Sequence, residues 1–354
     1  MLKVAVVGSG WGSSSFLKKI DTERHQVTVI SPNRNFVYTP LLANNIKNDT
    51  ELTMDVCKLN NITHVPEKVK DFAFDENAVI TENDEKYKYD YLVLAHGCDI
   101  NTFNIQGVRE NCHFIKTAED TKIIREKLSK LPQDSRVAVI GCGLTGTEII
   151  GNLMDYDKFK IYAIDGMSSP LSTFNDTIRN SLAMFWFDNG INCIFNSFVK
   201  KIDETSIYFC KDKIDYDMAI WCGGIKKNAL TARVNDLLKL ECNFGIPVDE
   251  KMKVENTKNV FAIGDCAYNK NPPTAQVAYQ EGCYLASYLN DISNKHGKPF
   301  EYISKGQICY TGQGKSVYQY TPNFYFSGIF CGYMNKVVHV YNSINIEQML
   351  SFLF

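Results

Sequence analysis

The sequence predicts an α/β protein with two Rossmann-like domains and a short C-terminal region, on three observations. A glycine-rich turn at residues 8–12 lies between two short apolar runs, and a second turn at residues 141–146 repeats this setting. Each turn is followed, 23 or 24 residues after its first glycine, by the end of the next apolar run. A strand, a glycine turn, a helix and a parallel strand make one Rossmann βαβ unit, so the duplication predicts two units.

The first unit is predicted from three consecutive segments. Residues 2–7 (LKVAVV) form an apolar run of strand length, residues 13–20 have helical character, and residues 26–30 (QVTVI) form a second apolar run. Short apolar runs bounded by turn residues are typical of buried parallel strands. The order strand, helix, strand therefore predicts a right-handed crossover within one parallel sheet.

The second unit repeats this order, and the segments that follow each unit also correspond. Its strands are predicted at 136–140 (RVAVI) and 160–164 (KIYAI), with a helix at 147–154 between them. Each half then has an alternating, turn-rich segment that suits a small antiparallel sheet, followed by a short buried strand that ends near a glycine. The segments are 68–85 and 91–95 in the first half, 198–209 and 218–221 in the second, with a last strand at 259–263.

The two glycine turns have the spacing of a phosphate-binding turn. The first glycine permits a tight turn, the second lets a pyrophosphate approach the backbone, and the third lets the helix pack closely on the strand. The second turn has all three, at Gly141, Gly143 and Gly146, whereas the first has Gly8 and Gly10 with Ser13 at the third position. Serine is small enough for close packing, so both turns are predicted to hold a dinucleotide at a helix N-terminus.

The residues at the two strand ends differ in charge. Asp165 stands 24 residues after Gly141, where a carboxylate accepts ribose hydroxyls and repels a 2′-phosphate. The second turn is therefore predicted to prefer NADH over NADPH. The corresponding position of the first unit is Ser31, which can still hydrogen-bond a ribose hydroxyl.

Composition excludes several classes of protein. The formal net charge of −2 leaves no basic surplus for neutralising phosphates, so no nucleic-acid partner is expected. No stretch approaches 18 uninterrupted apolar residues, which disfavours a membrane-spanning helix. The twelve cysteines are scattered without a C-x-x-C pair, which predicts neither a metal site nor a redox-active dithiol.

Several motifs resemble those of the alternative (type II) NADH dehydrogenases, a family of single-chain flavoenzymes. The most specific are the turn containing Trp11 and the Pro-Pro-Thr-Ala-Gln segment. The motifs span most of the chain, at residues 7–18, 29–32, 38–42, 101–103, 111–116, 145–148, 262–267, 272–278 and Gln280. The resemblance implies FAD in the first unit and NADH in the second. It also implies that two electrons pass from NADH through FAD to a membrane quinone, without proton pumping.

The resemblance also implies site residues. FAD is expected at Gly8, Gly10, Trp11, Gly12, Ser31, Pro32, Asn33, Thr39, Pro40, Ala95, Gly97, Gly264, Asp265, Ala275 and Gln276. NADH is expected at Gly141, Gly143, Leu144, Thr145, Gly146, Glu148, Asp165, Cys222, Gly223 and Gly224. Glu148, Gln276 and Tyr279 are the expected catalytic residues: Glu148 faces the nicotinamide and the flavin, while the other two lie between the flavin and the quinone.

Some positions depart from the family pattern, and they leave the electron acceptor open. Leu144 replaces a common proline, Tyr279 replaces a histidine of eukaryotic members, and His96 and Cys98 flank Gly97 where other residues are usual. The alternatives are a soluble NADH-dependent flavin reductase or oxidase with a non-quinone acceptor, and a non-catalytic flavin-binding redox sensor. A flavin disulfide reductase is disfavoured because no close cysteine pair is present.

The expected organisation has a discontinuous FAD domain. It comprises residues 1–110 and 246–315, with the NADH domain at 111–245 and a C-terminal segment at 316–354. In that segment Phe330, Met334, Val337, Tyr341 and Ile344 are spaced 4, 3, 4 and 3, which predicts one face of a helix. We expect this helix and the apolar residues 349–354 to attach the protein to a membrane surface, or to form a homodimer.

The resemblance implies a peripheral protein of a mitochondrial-type inner membrane. A cytoplasmic or cytoplasm-facing location is the alternative, because the strand-like run already begins by Val4 and leaves no room for a transit segment before it.

Overall fold

The structure is a computed structural model that describes residues 1–56, 62–291 and 297–342. Its contacts divide the chain into two units. The first contains Met1–Val37, Thr53–Asp99 and Ile225–Ser304, and the second contains Tyr38–Leu52, Ile100–Gly224 and the chain from Lys305 onward. The predicted assignment of residue ranges to FAD and to NADH stays a prediction.

The first unit is built on a parallel sheet. Its strands, in spatial order, are β21 (Val260–Ala262), β9 (Tyr91–Leu94), β1 (Leu2–Val7), β2 (His25–Ile30) and β5 (Thr63–Val65). β1 and β2 pair in register from Leu2 opposite His25 to Val7 opposite Ile30. Because β2 and β9 flank β1 on opposite sides, the strand order reverses at β1, and ligands of open α/β sheets bind at such a point.

Among its described residues, the first unit also contains three α-helices and several short strands. The helices are α1 (Trp11–Leu17), α7 (Ala229–Leu238) and α8 (Ala275–Asn290). An antiparallel sheet consists of β6 (Val69–Ala73), β7 (Ala78–Thr81) and β8 (Lys86–Lys88), and two-stranded pairs consist of β3 (Asn35–Val37) with β4 (Thr53–Asp55) and β20 (Ile246–Pro247) with β22 (Ala267–Tyr268). The core of the unit lies on the central sheet, around Val7, Leu92, Leu94 and Val260.

The second unit repeats the parallel sheet. Its strand order is β11 (His113–Phe114), β18 (Met218–Trp221), β12 (Arg136–Ile140), β13 (Lys160–Ile164) and β14 (Asn192–Ile194). β12 pairs with β13 from Arg136 opposite Lys160 to Ile140 opposite Ile164. The order reverses at β12, as it does at β1, so both predicted βαβ units are present and each glycine turn follows the strand where the order reverses.

The remaining elements of the second unit surround this sheet. The helices are α2 (Leu42–Asn45), α3 (Val108–Asn111), α4 (Ala118–Lys130), α5 (Leu144–Met154), α6 (Asp176–Asp188) and α9 (Ile329–Asn342). The antiparallel sheets are β15 (Lys201–Ile202), β16 (Ser206–Tyr208) and β17 (Lys213–Asp215), and β23 (Gln307–Gly312), β24 (Lys315–Thr321) and β25 (Phe324–Gly328). Two short strands, β10 (Asp99–Ile100) and β19 (Ile225–Lys226), lie where the chain passes between the units.

The two helices after the glycine turns begin earlier than predicted. Expected to start at residues 13 and 147, they start at Trp11 and Leu144, and α1 ends at Leu17 rather than at residue 20. Gly10 and Gly143 are the N-cap residues, with extended backbone angles, so the residues after them already belong to the first helical turn.

The C-terminal helix α9 packs one face on the β23–β25 sheet. Gly332 approaches Gly314 so closely that a Cβ on Gly332 would lie 2.0 Å from the Gly314 carbonyl oxygen, and the Asn335 amide donates to Ser316 Oγ (3.4 Å). The other face is open: Phe330 is 73% exposed and Val337 is 59% exposed. Phe330 and Val337 of the predicted stripe therefore lie on the exposed face and Met334 is partly exposed, whereas the Tyr341 side chain, Ile344 and residues 349–354 lie outside what the structure describes.

None of the helices described in the structure has the length and hydropathy needed to cross a membrane.

Candidate functional site

The first glycine turn has the backbone shape that its sequence predicts. Gly8 has a φ of +107°, and a Cβ there would lie 2.4 Å from the Ala95 carbonyl oxygen, so only glycine fits. By contrast, a Cβ on Gly10 would meet nothing within 4 Å among the described residues. Gly10 caps α1 without a side-chain hydrogen bond, which leaves the start of the helix open toward an anion.

Ser13, at the third position of this turn, is fully buried. Its Oγ has no hydrogen-bond partner within the described part of the chain. Gly282 of α8 packs closely on α1, since a Cβ there would lie 2.1 Å from Ser15 Oγ and 2.3 Å from the Gly12 carbonyl oxygen. This contact joins residues distant in sequence, so the motif alone could not indicate it.

The Ser31 loop at the end of β2 contacts the same turn. Ser31 Oγ lies 3.1 Å from Ser9 Oγ and accepts from the Asn33 N–H (3.3 Å), while His64 Nε2 lies 2.9 Å from the Ser31 carbonyl oxygen. Pro32 and Asn33 are exposed beside it. The arrangement offers hydroxyl and backbone groups without a carboxylate, and sequence reasoning missed the contribution of His64.

At the end of β9, His96 provides a buried polar group. Asn228, the N-cap of α7, places its amide nitrogen 3.2 Å from His96 Nδ1. Burial lowers the pKa of His96 to about 4, so the ring is neutral at pH 7. Its Nε2 has no hydrogen-bond partner among the residues described. A buried donor next to Gly8 and Gly97 fits a bound polar cofactor, and no sequence signal pointed to Asn228.

Gly264, Asp265 and Cys266 form a short 3-10 helix after β21, and the contact of Asp265 with FAD stays a prediction. Asp265 Oδ2 accepts a hydrogen bond from Cys98 Sγ (3.4 Å). Together with Cys98, Thr274 and Val277, Asp265 lines a cavity of about 220 Å³ within the first unit.

Glu281 is a residue of this site that sequence reasoning missed. It is buried on α8 and accepts from the Gly264 N–H (2.6 Å) and from Asn269 Nδ2 (2.7 Å). Burial raises the pKa of Glu281 to about 7, against the effect of these two donors. An available signal was its position four residues after Val277, on the buried stripe of the helix.

Gln276 and Tyr279 lie in the first turns of α8, which Thr274 caps by accepting from the Val277 N–H (3.3 Å). Gln276 Oε1 accepts from Tyr302 Oη (2.9 Å), and Tyr279 is 42% exposed. Ala275 is the first residue of the helix. The structure thus brings these predicted residues together on one helix start in the first unit.

The second glycine turn, in the second unit, has the same design. Gly141 has a φ of +95°, and a Cβ there would lie 2.5 Å from the Cys222 carbonyl oxygen. A Cβ on Gly146 would lie 1.8 Å from the Gly141 carbonyl oxygen, which explains the third glycine. At Gly143 a Cβ would again meet nothing within 4 Å in the described ranges, so the second glycine borders open space. Cys222 and Gly223, at the end of β18, complete the wall of this turn.

The Asp165 carboxylate is fixed at the end of β13. Its Oδ2 accepts from the Cys142 N–H in the glycine turn (2.6 Å), and its Oδ1 accepts from the Met167 N–H (2.8 Å). These bonds hold the carboxylate beside the turn, where the ribose hydroxyls of a bound dinucleotide are expected.

Glu148 lies on α5, one turn after Gly143 and Leu144. Burial raises the pKa of Glu148 to about 8, and the Tyr310 N–H opposes this shift by hydrogen-bonding the carboxylate. The group is therefore mostly a neutral acid at pH 7. Helix α5 rests closely on β23, since a Cβ on Gly151 would lie 2.7 Å from the Gly312 nitrogen.

Thr39 and Pro40 form a short 3-10 helix with Leu41 in the second unit. Thr39 is exposed and Pro40 is partly exposed. The assignment of each of these residues to FAD, NADH or quinone stays a prediction, whereas the turns themselves have the shapes that such ligands require.

Comparison with known proteins identifies the family. The sequence profile of the pyridine nucleotide-disulphide oxidoreductases matches residues 2–282. The chain is 31% identical to a probable NADH dehydrogenase of Dictyostelium discoideum, over 94% of this chain and 83% of the relative. It is 28% identical to the external alternative NADH-ubiquinone oxidoreductase of Yarrowia lipolytica mitochondria, over 91% and 72% of the two chains. The structure of NDH2 from Plasmodium falciparum in complex with NADH shares the fold, with a TM-score of 0.91, 23% identity and coverage of 99% and 97%.

The chain therefore belongs to the pyridine nucleotide-disulphide oxidoreductase family and, within it, to the alternative NADH dehydrogenases. The predicted fold class and the resemblance drawn from the motifs are both confirmed.

Proposed function

We propose that this chain is an FAD-dependent enzyme that oxidises NADH and transfers two electrons to a quinone, without pumping protons. The observation that carries the proposal is the pair of glycine turns, each at the point of strand-order reversal and each with open space beside its second glycine. The similarity to a probable NADH dehydrogenase over 94% of the chain supports NADH as the electron donor.

The first unit holds FAD, which accepts a hydride when bound and can release two electrons to an acceptor. The backbone at Gly8, Gly10, Trp11 and Gly12 receives the pyrophosphate at the start of α1. Ser31 binds a ribose hydroxyl, and Asp265 orients the cofactor from the end of β21. Ser13 Oγ and His96 Nε2 are buried and have no hydrogen-bond partner among the described residues, which supports a polar ligand at this end of the sheet.

The second unit holds NADH. The turn from Gly141 to Gly146 binds the pyrophosphate at the start of α5, and the Asp165 carboxylate accepts the ribose hydroxyls of the adenosine half. Because a 2′-phosphate would bring negative charge to Asp165, NADPH binds less well.

Glu148 supplies a neutral acid on the NADH side. With a pKa of about 8 it keeps its proton at pH 7, so it can donate a hydrogen bond to the nicotinamide end without adding negative charge. This role rests on the resemblance and on the partly buried position of Glu148 near the start of α5.

Gln276 and Tyr279 bind the quinone. A quinone oxygen gains negative charge as it is reduced, and hydrogen-bond donors aimed at it stabilise that charge. The Tyr302 hydroxyl donates to Gln276 Oε1, which fixes the orientation of the Gln276 amide. The exposure of Tyr279 leaves its side chain accessible to a ligand.

The exposed face of α9, together with the adjoining strand β25, attaches the enzyme to a membrane. We call the side chains of Phe324, Tyr325, Ile329, Phe330, Tyr333 and Val337 the C-terminal apolar surface; all six are exposed. An exposed apolar and aromatic surface is typical of membrane or protein contact, and a lipid-soluble quinone must be reached in the bilayer. We place the enzyme peripherally on a mitochondrial-type inner membrane, as the mitochondrial relative from Yarrowia suggests. A homodimer through the same surface is the alternative.

Two alanine variants test the proposal. Gly10→Ala and Gly143→Ala each add a methyl group where the protein leaves open space, at backbone angles that alanine adopts, so both variants should fold. We expect Gly10→Ala to purify with little FAD, and Gly143→Ala to purify yellow with NADH affinity reduced about tenfold or more. Flavin absorbance at purification and after anaerobic NADH addition gives both readouts.

Each variant is the control for the other, since each should lose one nucleotide and keep the other. If both variants bind FAD and are reduced by NADH as well as the unmodified protein, the turns are not the nucleotide sites and the proposal fails.

A further inference from the structure

A buried tyrosine and a partly buried histidine join the C-terminal helix to the segment of residues 38–41 within the second unit. Tyr38 Oη lies 3.3 Å from His339 Nδ1, and the two rings meet edge to face with centroids 6.0 Å apart. Tyr38 is only 2% exposed. Burial raises the pKa of Tyr38 and lowers the pKa of His339 to about 4, so both groups are neutral at pH 7. The tyrosine hydroxyl can then donate to Nδ1 of the neutral imidazole.

Tyr38 directly precedes Thr39 and Pro40, which are predicted to contact FAD. The Tyr38 N–H donates to the Leu52 carbonyl oxygen (2.8 Å), and the Tyr38 carbonyl oxygen accepts from the Leu41 N–H (3.3 Å). Tyr38 is also the N-cap of the short 3-10 helix that contains Thr39 and Pro40. The residue that contacts His339 through its side chain therefore also caps the short helix from which Thr39 projects.

His339 lies on the face of α9 that packs on the β23–β25 sheet. His339 follows Asn335 by four residues and Gly332 by seven, so it continues the face that packs on the β23–β25 sheet. Phe330, Tyr333 and Val337 of the C-terminal apolar surface stand on the opposite side of the same helix. One helix thus carries both the proposed membrane contact and the partner of Tyr38.

We propose that His339 is a positioning residue: through Tyr38 it fixes the Thr39–Pro40 turn to the seated C-terminal helix, and so ties the flavin contact of this turn to the membrane-facing element. This inference rests on the proposed function, and on the contact of Thr39 and Pro40 with FAD that the family resemblance implies. The reason for a hydrogen-bonding residue, rather than an apolar one, is that Tyr38 brings a hydroxyl into a buried position where an acceptor fixes its direction.

Substitution of each partner tests the pair in the full-length, FAD-loaded protein. His339→Leu removes the acceptor, Tyr38→Phe removes the donor, and His339→Asn keeps an acceptor near the position of Nδ1. Lys336→Gln, on the exposed side of α9, is the matched control. The readouts are hydrogen exchange of the peptide that covers residues 38–45, the visible absorption band of the bound flavin, and the rate of flavin reoxidation by a short-tailed quinone.

We expect His339→Leu and Tyr38→Phe each to speed exchange in residues 38–45 and to slow reoxidation by about three- to tenfold, the scale of one lost hydrogen bond. Both should change the flavin band in the same way, and the double variant should add no further change. His339→Asn should restore most of the exchange protection, and Lys336→Gln should behave as the unmodified protein.

The inference is wrong if His339→Leu leaves exchange and the flavin band unchanged, or if the effects of the two single variants add in the double variant. Tyr38→Phe decides the question by itself if His339→Leu does not fold. The proposed function fails on a different result, namely an unmodified protein whose flavin is not reduced by NADH, and exchange in residues 38–45 can still be compared in that case.

Discussion

Asp165 is the residue that we propose to set the preference for NADH over NADPH. Both of its oxygens accept backbone N–H groups, from Cys142 and from Met167, so its position is fixed before any nucleotide binds. Met167 is exposed beside it, whereas a side chain on Gly166 would collide with the Phe198 ring at 2.3 Å. The structure therefore indicates position 167 as the place for a cation that would pair with a 2′-phosphate.

The double variant Asp165→Ser with Met167→Arg should lower the ratio of kcat/KM for NADH over NADPH by at least about tenfold, because it removes the repulsion and adds a phosphate partner. Steady-state kinetics with both nucleotides measures this ratio. Met167→Gln alone should keep the preference for NADH. An unchanged ratio in the double variant would show that Asp165 does not face the ribose.

Gln276 is the residue expected to act on the acceptor side. Gln276→Ala should slow flavin reoxidation by quinone by about tenfold while flavin reduction by NADH stays within about twofold, because a donor to the developing quinone charge is lost. Stopped-flow absorbance separates the two half-reactions. Tyr302→Phe, which removes only the bond to Gln276 Oε1, should have a smaller effect of the same kind. If Gln276→Ala slows flavin reduction by NADH more than it slows flavin reoxidation by quinone, the acceptor side is assigned wrongly.

At the scale of elements, the sequence predicted the parallel strands best. The strand of residues 160–164 was predicted with the observed bounds, because a short apolar run between turn residues has few other ways to be buried. The helices after the glycine turns were predicted to begin two or three residues too late, since glycine caps leave no side-chain signal. Contacts such as Gly282 with Ser15 join residues far apart in sequence, and local patterns carry no information about them.

Helix α9 has one face packed on the β23–β25 sheet and one exposed apolar face, and we propose that the exposed face binds a membrane. Phe330→Ser, Tyr333→Ser and Val337→Ser together should reduce flotation with liposomes by about tenfold while NADH still reduces the flavin, because the three side chains are exposed and do not support the fold. Met184→Ser with Phe187→Ser on α6 is the control, since both residues are exposed and apolar but lie outside the C-terminal apolar surface. If the triple variant floats as the unmodified protein does, this surface does not bind membranes, and loss of a dimer instead would support the alternative.

For the whole molecule, Glu148 gives stability a dependence on pH. Its folded-state pKa of about 8 is raised above the ordinary value of 4.5, so its contribution is full below about pH 4.5 and is lost as pH rises through 8. The Glu148→Gln variant cannot ionise at this position, so it does not lose this stability as pH rises. Its free energy of unfolding relative to the unmodified protein should therefore rise between pH 5 and pH 8.5, on the order of 2 kcal/mol after allowance for partial exposure.

Thermal unfolding of both proteins across this range measures the difference. His96 and His339 affect the free energy of unfolding only at acid pH, and equally in both proteins. Because their pKa values are lowered to about 4, stability falls as pH drops from 6.5 toward 4. Their effect cancels in the comparison. Parallel stability curves above pH 5 would show that Glu148 ionises normally in the folded protein.

The central claim, NADH oxidation through FAD to a quinone, is tested most directly by following the flavin itself. The purified protein is reduced anaerobically with NADH, and the return of flavin absorbance is then timed after addition of a short-tailed quinone or of oxygen. The account predicts bleaching by about one NADH per flavin and reoxidation by quinone at least about tenfold faster than by oxygen. A flavin that NADH does not bleach, or that returns with oxygen but not with quinone, would contradict it.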